Sequence, residues 1–382
     1  MKRLALVWMG VAMVMGGGCV PPRPPVTSGE VSAAPRPSPR RVMGGDVVVR
    51  SERDPVVGMA VYDAVDLFER GLAELEADNP VLARVLFARL LAEFPASVQG
   101  VPARHNLALA AERAGQIDDA ADLYEEYARV VEGADPAEAA GTRLHSGILL
   151  FDSGRFDAAV LPLSRAMSSA LLDRTDAWLA RALLARVRGR SGGFDAAFEE
   201  LSRIRREIRR ANQTVGETYP WSSAMVWFHA AELHRDHAQR QRLLDVDDLT
   251  AARAWLDASA ALFLEARRDH KRVLEHRHPD WAGKAALALG AINVDFRAVM
   301  LGADTPSGLE PDALAVYREL LAAQTRSFLD KAVADYRWLL ADAADLRIAP
   351  ADVERLRAAL AEVELELSSA PRTADLSESA SA

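Results

Sequence analysis

The chain has 382 residues, with 46 Lys+Arg against 55 Asp+Glu and a net charge of −9. That acidic balance excludes a general nucleic-acid binder, whose phosphate contacts need a basic surface. A single cysteine excludes an intrachain disulfide, and 50% hydrophobic residues are enough for a large core or an extended array.

The chain opens MKRLALVWMGVAMVMGGGC. Lys2 and Arg3 precede an apolar run from Leu4 to Met15, then Gly16, Gly17 and Gly18, the layout of a secretory signal. A lone cysteine after small residues resembles the bacterial lipoprotein cleavage box, with Gly16 where a leucine is usual. The resemblance implies cleavage after Gly18, lipid on Cys19 and an amino-terminal acyl chain, and two or more chains make a stable anchor. By the same resemblance, Val20 rather than Asp after the cysteine favours the outer membrane over the inner. Removing Lys2 and Arg3 leaves 44 basic against 55 acidic residues, a net of −11.

Residues 20–50 hold Pro21, Pro22, Pro24, Pro25, Pro35, Pro37 and Pro39 with almost no apolar periodicity. They read as a semi-rigid tether, extending about 3.1 Å per residue in a polyproline conformation. It is either a plain spacer or a segment that binds cell wall or partner. VVVRS at 47–51 is a possible short strand.

From residue 60 the chain repeats itself. SGRFDAAVLPLSR at 153–165 returns as SGGFDAAFEELSR at 191–203. Weaker copies sit in AGQIDDAADLYEEYAR and NPVLARVLFARLLAEFP. The shared alanines are Ala83, Ala120, Ala159 and Ala197, spaced 37, 39 and 38 residues apart. A fixed period of this size marks a helical solenoid, in which each hairpin buries its apolar face on its neighbours. Small residues at a helix crossing let the axes close, so Leu at Ala159 or Ala197 overpacks. Asp118, Asp157 and Asp195 fall in the first turn of each second helix, where negative charge suits the dipole. Gly115, Gly154 and Gly193 are expected in the inter-helix turns, at positive φ.

These units resemble tetratricopeptide repeats over roughly residues 60–212. That family sets a small residue in its first helix (Gly71, Ala108, Gly147, Ala185) and alanine early in its second. A large apolar residue follows one turn later (Phe87, Tyr124, Leu163, Leu201). Ala166 and Pro95 each fit in one unit. The copies are degenerate: the early aromatic is missing, Leu90, Tyr127 and Ile204 replace a small residue, and the units exceed the usual 34 residues or so. The resemblance implies a concave protein-binding face lined by Phe68, Leu72, His105, Leu109, Leu144, Ile148, Phe151, Leu179 and Arg186.

After NQTVGETYPW the helical period continues in longer segments: 222–242, 248–276, 279–301, 312–340 and 350–367. Trp281, Ala285, Leu289, Gly290 and Phe296, then Pro306 and Leu309, then Tyr317, Leu320, Ala332 and Tyr336 resemble the C-terminal part of large myxobacterial envelope and gliding-motility repeat proteins. That implies a periplasmic scaffold. The last residues, SSAPRTADLSESASA, read as a disordered tail.

Two clusters invite chemistry. Six of eight histidines lie between 229 and 278 (His229, His234, His237, His270, His276, His278). His234 and His237 share a helix face, but Glu232 does not complete a zinc-protease spacing, and polar-face or interhelical roles are expected, with no metal. LSRIRREIRRA at 201–211 holds Arg203, Arg205, Arg206, Arg209 and Arg210 around a buried stripe of Leu201, Ile204 and Ile208. It reads as a solvated face or as a dock for an acidic partner or anionic polymer. No nucleophile elbow, phosphate loop or dinucleotide fingerprint is present.

The expected architecture is all-α, a right-handed α-solenoid of tetratricopeptide-like hairpins. It comprises a signal peptide (1–18), lipidated Cys19 with its tether (19–58), four repeats (59–212), long hairpins continuing the solenoid (213–367) and a tail (368–382). The expected protein is a non-catalytic outer-membrane lipoprotein without cofactor, facing the periplasm and binding envelope proteins or peptide segments. It binds no nucleic acid or small-molecule substrate, and touches the membrane through lipid alone. A partner of the outer-membrane barrel-assembly pathway and a peptidoglycan-active helical enzyme remain as alternatives.

Overall fold

The computed structural model describes residues 47–49, 57–59, 62–214, 219–241, 243 and 247–371. The signal, Cys19, most of the tether and residues 372–382 lie outside the described residues. Val47–Val49 (β1) and Val57–Met59 (β2) form an antiparallel ribbon, Val48 opposite Gly58. The valine run suggested the first strand; its partner was not foreseen. All other regular structure among the described residues is helical.

The helices are α1 (Ala64–Glu76), α2 (Pro80–Glu93), α3 (Gly100–Arg113), α4 (Ile117–Val131), α5 (Pro136–Asp152), α6 (Phe156–Met167), α7 (Arg174–Arg190), α8 (Phe194–Thr214), α9 (Pro220–Arg240), α10 (Leu249–Glu275), α11 (Pro279–Leu301), α12 (Pro311–Ala341) and α13 (Pro350–Ser369). Six start on proline, whose missing N–H costs nothing in a first turn. Asp63 caps α1 in a reciprocal box with Asp66, and Asp135 and Asp248 cap α5 and α10. Ser368 and Ser369, expected in the tail, still belong to α13.

Two compact units divide between Ala180 and Arg181, inside α7. In the first, α1/α2, α3/α4 and α5/α6 are hairpins, and each packs on the next through α2 on α3 and α4 on α5. In the second, α8 packs on α9, α9 on α10 and α11, α11 on α12, and α13 on both α11 and α12. Each unit is thus a stack of consecutive helices, the α-solenoid architecture.

The repeat positions explain the hairpins. Ala83, Ala120, Ala159 and Ala197 are fully buried. A Cβ added to Gly71 would lie 2.6 Å from the Phe87 ring, and one added to Gly147 would lie 2.6 Å from Leu163. The small residue of the first helix therefore seats the large residue of the second, sharing the crossing volume between them. Leu90, Tyr127 and Ile204 are buried too, so large residues fill the core where the repeat family uses small ones.

All four hairpins turn by the same device. Asn79, Gln116, Arg155 and Gly193 donate their N–H to the carbonyls of Glu74, Ala111, Leu150 and Arg188 at 2.8–3.0 Å, the six-to-one bond of a Schellman motif. The preceding residue is left-handed each time: Asp78 (φ 58°), Gly115 (73°), Gly154 (77°) and Gly192 (95°). This corrects the reading of Gly193: Gly192 holds the positive φ, five residues before its marker alanine as in the other hairpins.

Candidate docking site: an arginine and tryptophan face

Leu201, Ile204 and Ile208 bury one face of α8, as their spacing requires. The opposite side carries Arg203, Arg206, Arg209 and Arg210, all exposed. Arg203 is held within its own helix by Glu199 and Glu200. Arg206 and Arg209 form no ion pair with a carboxylate among the described residues.

Arg205 turns inward. Its guanidinium lies 4.3 Å from the Trp227 ring centroid, and its Nη2 donates to Ser202 Oγ at 2.7 Å. Trp227 comes from α9 and holds a second guanidinium, Arg272 of α10, also at 4.3 Å. Arg268, one turn before Arg272 and paired with Glu265 of its own helix, borders this surface, which is built by three helices. The buried carboxylate beneath it is Asp269, which lies 3.6 Å from Arg272 Nη1, 3.7 Å from Arg268 Nε and 3.7 Å from His234 Nε2. These exceed hydrogen-bonding distance, so Asp269 offsets charge without taking donors.

Burial dominates the shifts of the neighbouring groups. Burial pulls His234 down to about 3, helped by Arg268 and Arg205. Burial raises the Asp269 carboxyl, and the charges of Arg205, Arg268 and Arg272 only partly oppose it.

His278 caps α11 by accepting from the Asp280 N–H, and three other histidines pack against aromatic rings. His237 stacks on Phe194 at 3.9 Å, while His229 and His270 stand edge-on to Phe228 at 5.6 Å. His270 Nε2 lies 3.5 Å from Glu232 Oε1 inside the second unit. Among the described residues no three His, Cys, Asp or Glu side chains are grouped to hold a metal.

The residues assigned to a concave groove are placed differently. Phe68, His105, Leu109, Leu144, Ile148, Phe151, Leu179 and Arg186 are buried, and Leu72 is half-buried. Phe68 packs on Phe87 at 5.9 Å, His105 on Tyr127 at 5.2 Å, and Phe151 on Phe156 at 5.1 Å. Arg186 lies 3.1 Å from Asp236 and 3.4 Å from Glu232. Apolar surface in the first unit is exposed elsewhere, at Val81, Leu82 and Val85 of α2. Trp227, Arg268 and Arg272 were missed from sequence. The run RRDHKR at 267–272 was their signal, overshadowed by the histidines around it.

No family model matches the chain, and no curated protein does. Among solved structures 18 chains match. A tetratricopeptide repeat protein from Parabacteroides merdae is 13% identical over 77% of this chain and 96% of its own, with a TM-score of 0.37. The TPR2AB domain of yeast Sti1, solved as a complex with pHSP90, is 11% identical over 77% of this chain and 98% of its own, with a TM-score of 0.25. These structural neighbours are repeat proteins of the kind the alanine spacing resembles. Both scores are low, and the hairpin geometry stands on this chain's own contacts.

Proposed function

We propose that this protein is a non-catalytic helical-repeat scaffold that docks an acidic protein partner in a cell-envelope complex. In this reading lipid on Cys19 holds it to the periplasmic face of the outer membrane, and the proline-rich tether gives it reach. The observation that carries the proposal is the pair of guanidiniums, Arg205 and Arg272, held on Trp227, with Arg206 and Arg209 exposed on the same helix as Arg205, in a chain of net charge −9. The contrast is local: residues 62–180 hold ten arginines and 20 acids, a net of −10, whereas 201–211 hold five arginines and one acid. A positive face on an acidic body steers acidic partners and repels copies of its own acidic surface.

The test is capture from solubilised envelopes with lipidated protein, wild type against Arg206→Glu with Arg209→Glu. Wild type is expected to retain a partner whose association falls steeply with salt, and the reversal to lose it. Binding that ignores both salt and charge reversal overturns the docking reading. Mass spectrometry of the amino-terminal peptide tests the anchor, with Cys19→Ala expected to leave the membrane fraction.

A further inference from the structure

α2 departs from the other second helices on its outer side. Counted from the marker alanines, Val81 holds the place of Asp118, Asp157 and Asp195, and Val85 that of Asp122, Leu161 and Glu199. Leu82 stands where α4 has Asp119. Val81, Leu82 and Val85 are 68%, 46% and 56% exposed, and with Asp78, Asn79 and Pro80 they line a hollow of about 560 Å³. The matching positions of α4, α6 and α8 are exposed too, so the place at the end of the array is not what bares these valines. At Val81 the first turn of α2 also forgoes the acid that suits the helix dipole in the other three.

A segment fit to cover the stripe lies just upstream. In the ribbon, Val47 pairs with Met59 and Val49 with Val57. The pleat sets these four residues on one side and Val48 with Gly58 on the other, so one side is wholly apolar. A two-stranded ribbon alone in water is marginal at best, and the packing of β1 and β2 is with each other. The course of the chain delivers the ribbon to α2. Tyr62, three residues past Met59, has its ring centroid 4.1 Å from the Arg70 guanidinium and 5.8 Å from that of Arg89. Arg89 continues the line of Val81 and Val85 by one turn. The lengths agree, since Val57 to Met59 spans about 7 Å and Val81 to Val85 about 6 Å.

We infer that the apolar side of the β1–β2 ribbon docks on Val81, Leu82 and Val85 and clasps the tether to the outer side of the first hairpin. Docking removes apolar surface of both partners from water, which neither strand nor helix achieves alone. It makes α2, rather than the start of α1, the point from which the proline-rich segment runs. The clasp depends neither on the arginine face nor on lipid at Cys19.

The experiment uses the full chain with Cys19→Ser, so that only introduced thiols are present. Met59→Cys with Val85→Cys should oxidise to an intramolecular disulfide, which needs Cα atoms within about 7 Å. Met59→Cys with Asp122→Cys, the matching site one hairpin on, should stay mostly reduced. Hydrogen exchange read by mass spectrometry gives the second measure. Val85→Asp copies Asp122 of α4 and leaves the hairpin core untouched, yet should speed exchange at residues 57–59 about three- to tenfold. Val98→Asp, at a valine that is 91% exposed, should leave that exchange unchanged. Equal oxidation of both thiol pairs, or of neither, overturns docking on α2. So does exchange at 57–59 that Val85→Asp leaves at its wild-type rate. A disulfide found only between two chains assigns the stripe to a second copy, and the clasp is then wrong.

Discussion

From Ala64 to Met167 the helices close on glycine and alanine, and most charges lie outside. Arg84 meets Asp119 at 2.8 Å, Arg155 meets Asp118 at 3.1 Å and Arg165 meets Glu125 at 2.7 Å, each joining neighbouring hairpins at the surface. After Arg181 the charges go inside. Arg186 lies against Glu232 and Asp236, Arg190 pairs with Asp236 at 2.7 Å, and Arg235 reaches Glu232 at 3.6 Å and Asp295 at 2.8 Å. Glu232 and Asp236 are 3% and 6% exposed. One region depends on fit and the other on compensation. An exposed ion pair contributes little, whereas a buried network is costly to break in part.

The largest expected effect follows from that difference. Arg186→Ala leaves two buried carboxylates short of a partner and should cost about 3–5 kcal/mol in the second unit. Arg84→Ala should cost no more than about 1 kcal/mol in the first. Urea unfolding separates them, because five tryptophans lie after Arg181, so fluorescence mainly follows that unit while circular dichroism follows both. Equal losses would erase the contrast.

Acid should sharpen it. Burial holds His234 at about 3, and lowers His229 and His270 as well. A histidine lowered in the fold binds more protons unfolded, so its stabilisation is complete above about pH 6.5 and is lost as pH falls toward 3. Burial raises Glu232, but Arg235, His270 and Arg186 outweigh it and bring it to about 2. Its contribution is present above about 4.5 and is lost between there and 2. In the first unit Glu112 is lowered, against burial, by His145 and Tyr124, so its share is lost only below about 4.5. Hydrogen exchange at pH 5 should therefore show amides of α9 and α10 opening before those of α3 and α4. The reverse order contradicts the assignment of neutral buried histidines.

A third prediction bears on fit. Gly147→Ala improves helix propensity by about 1 kcal/mol. It also drives a methyl against Leu163 and should destabilise by about 1–3 kcal/mol in all. Adding Leu163→Ala makes room for that methyl, so the double variant should cost less than the sum of the two single changes. Strict additivity breaks the claim that these residues share one volume.

The first region was the more legible. Alanine spacing led to positions that are fully buried, and prolines marked where helices begin. Arg203 to Arg210 were visible because they are contiguous. Trp227 and Arg272 stand 22 and 67 residues beyond Arg205, and only the packing of α8, α9 and α10 makes them one surface. The groove residues were transferred from a family pattern that says which side a helix presents, not how deeply neighbours cover it. The histidines were conspicuous, but their neutrality depends on burial, which no local pattern records.

The smallest effect concerns the turns. Gly115, Gly154 and Gly192 take the left-handed position without a Cβ, and Gly115 and Gly154 have nothing near that a Cβ would meet. Gly115→Ala should then cost about 1 kcal/mol from backbone conformation alone. The first hairpin keeps Asp78 there at φ 58°. Asp tolerates this region better than most residues, so Asp78→Gly should stabilise by no more than about 1 kcal/mol. It also removes a charge just ahead of α2, which reduces the gain if that carboxylate favours the helix dipole. A difference scan of Asp78→Gly and Asp78→Asn separates the two, since asparagine keeps the tolerance for this backbone and loses the charge. If the glycine variant is less stable than wild type by more than the asparagine variant, strain at this turn is not what the residue carries.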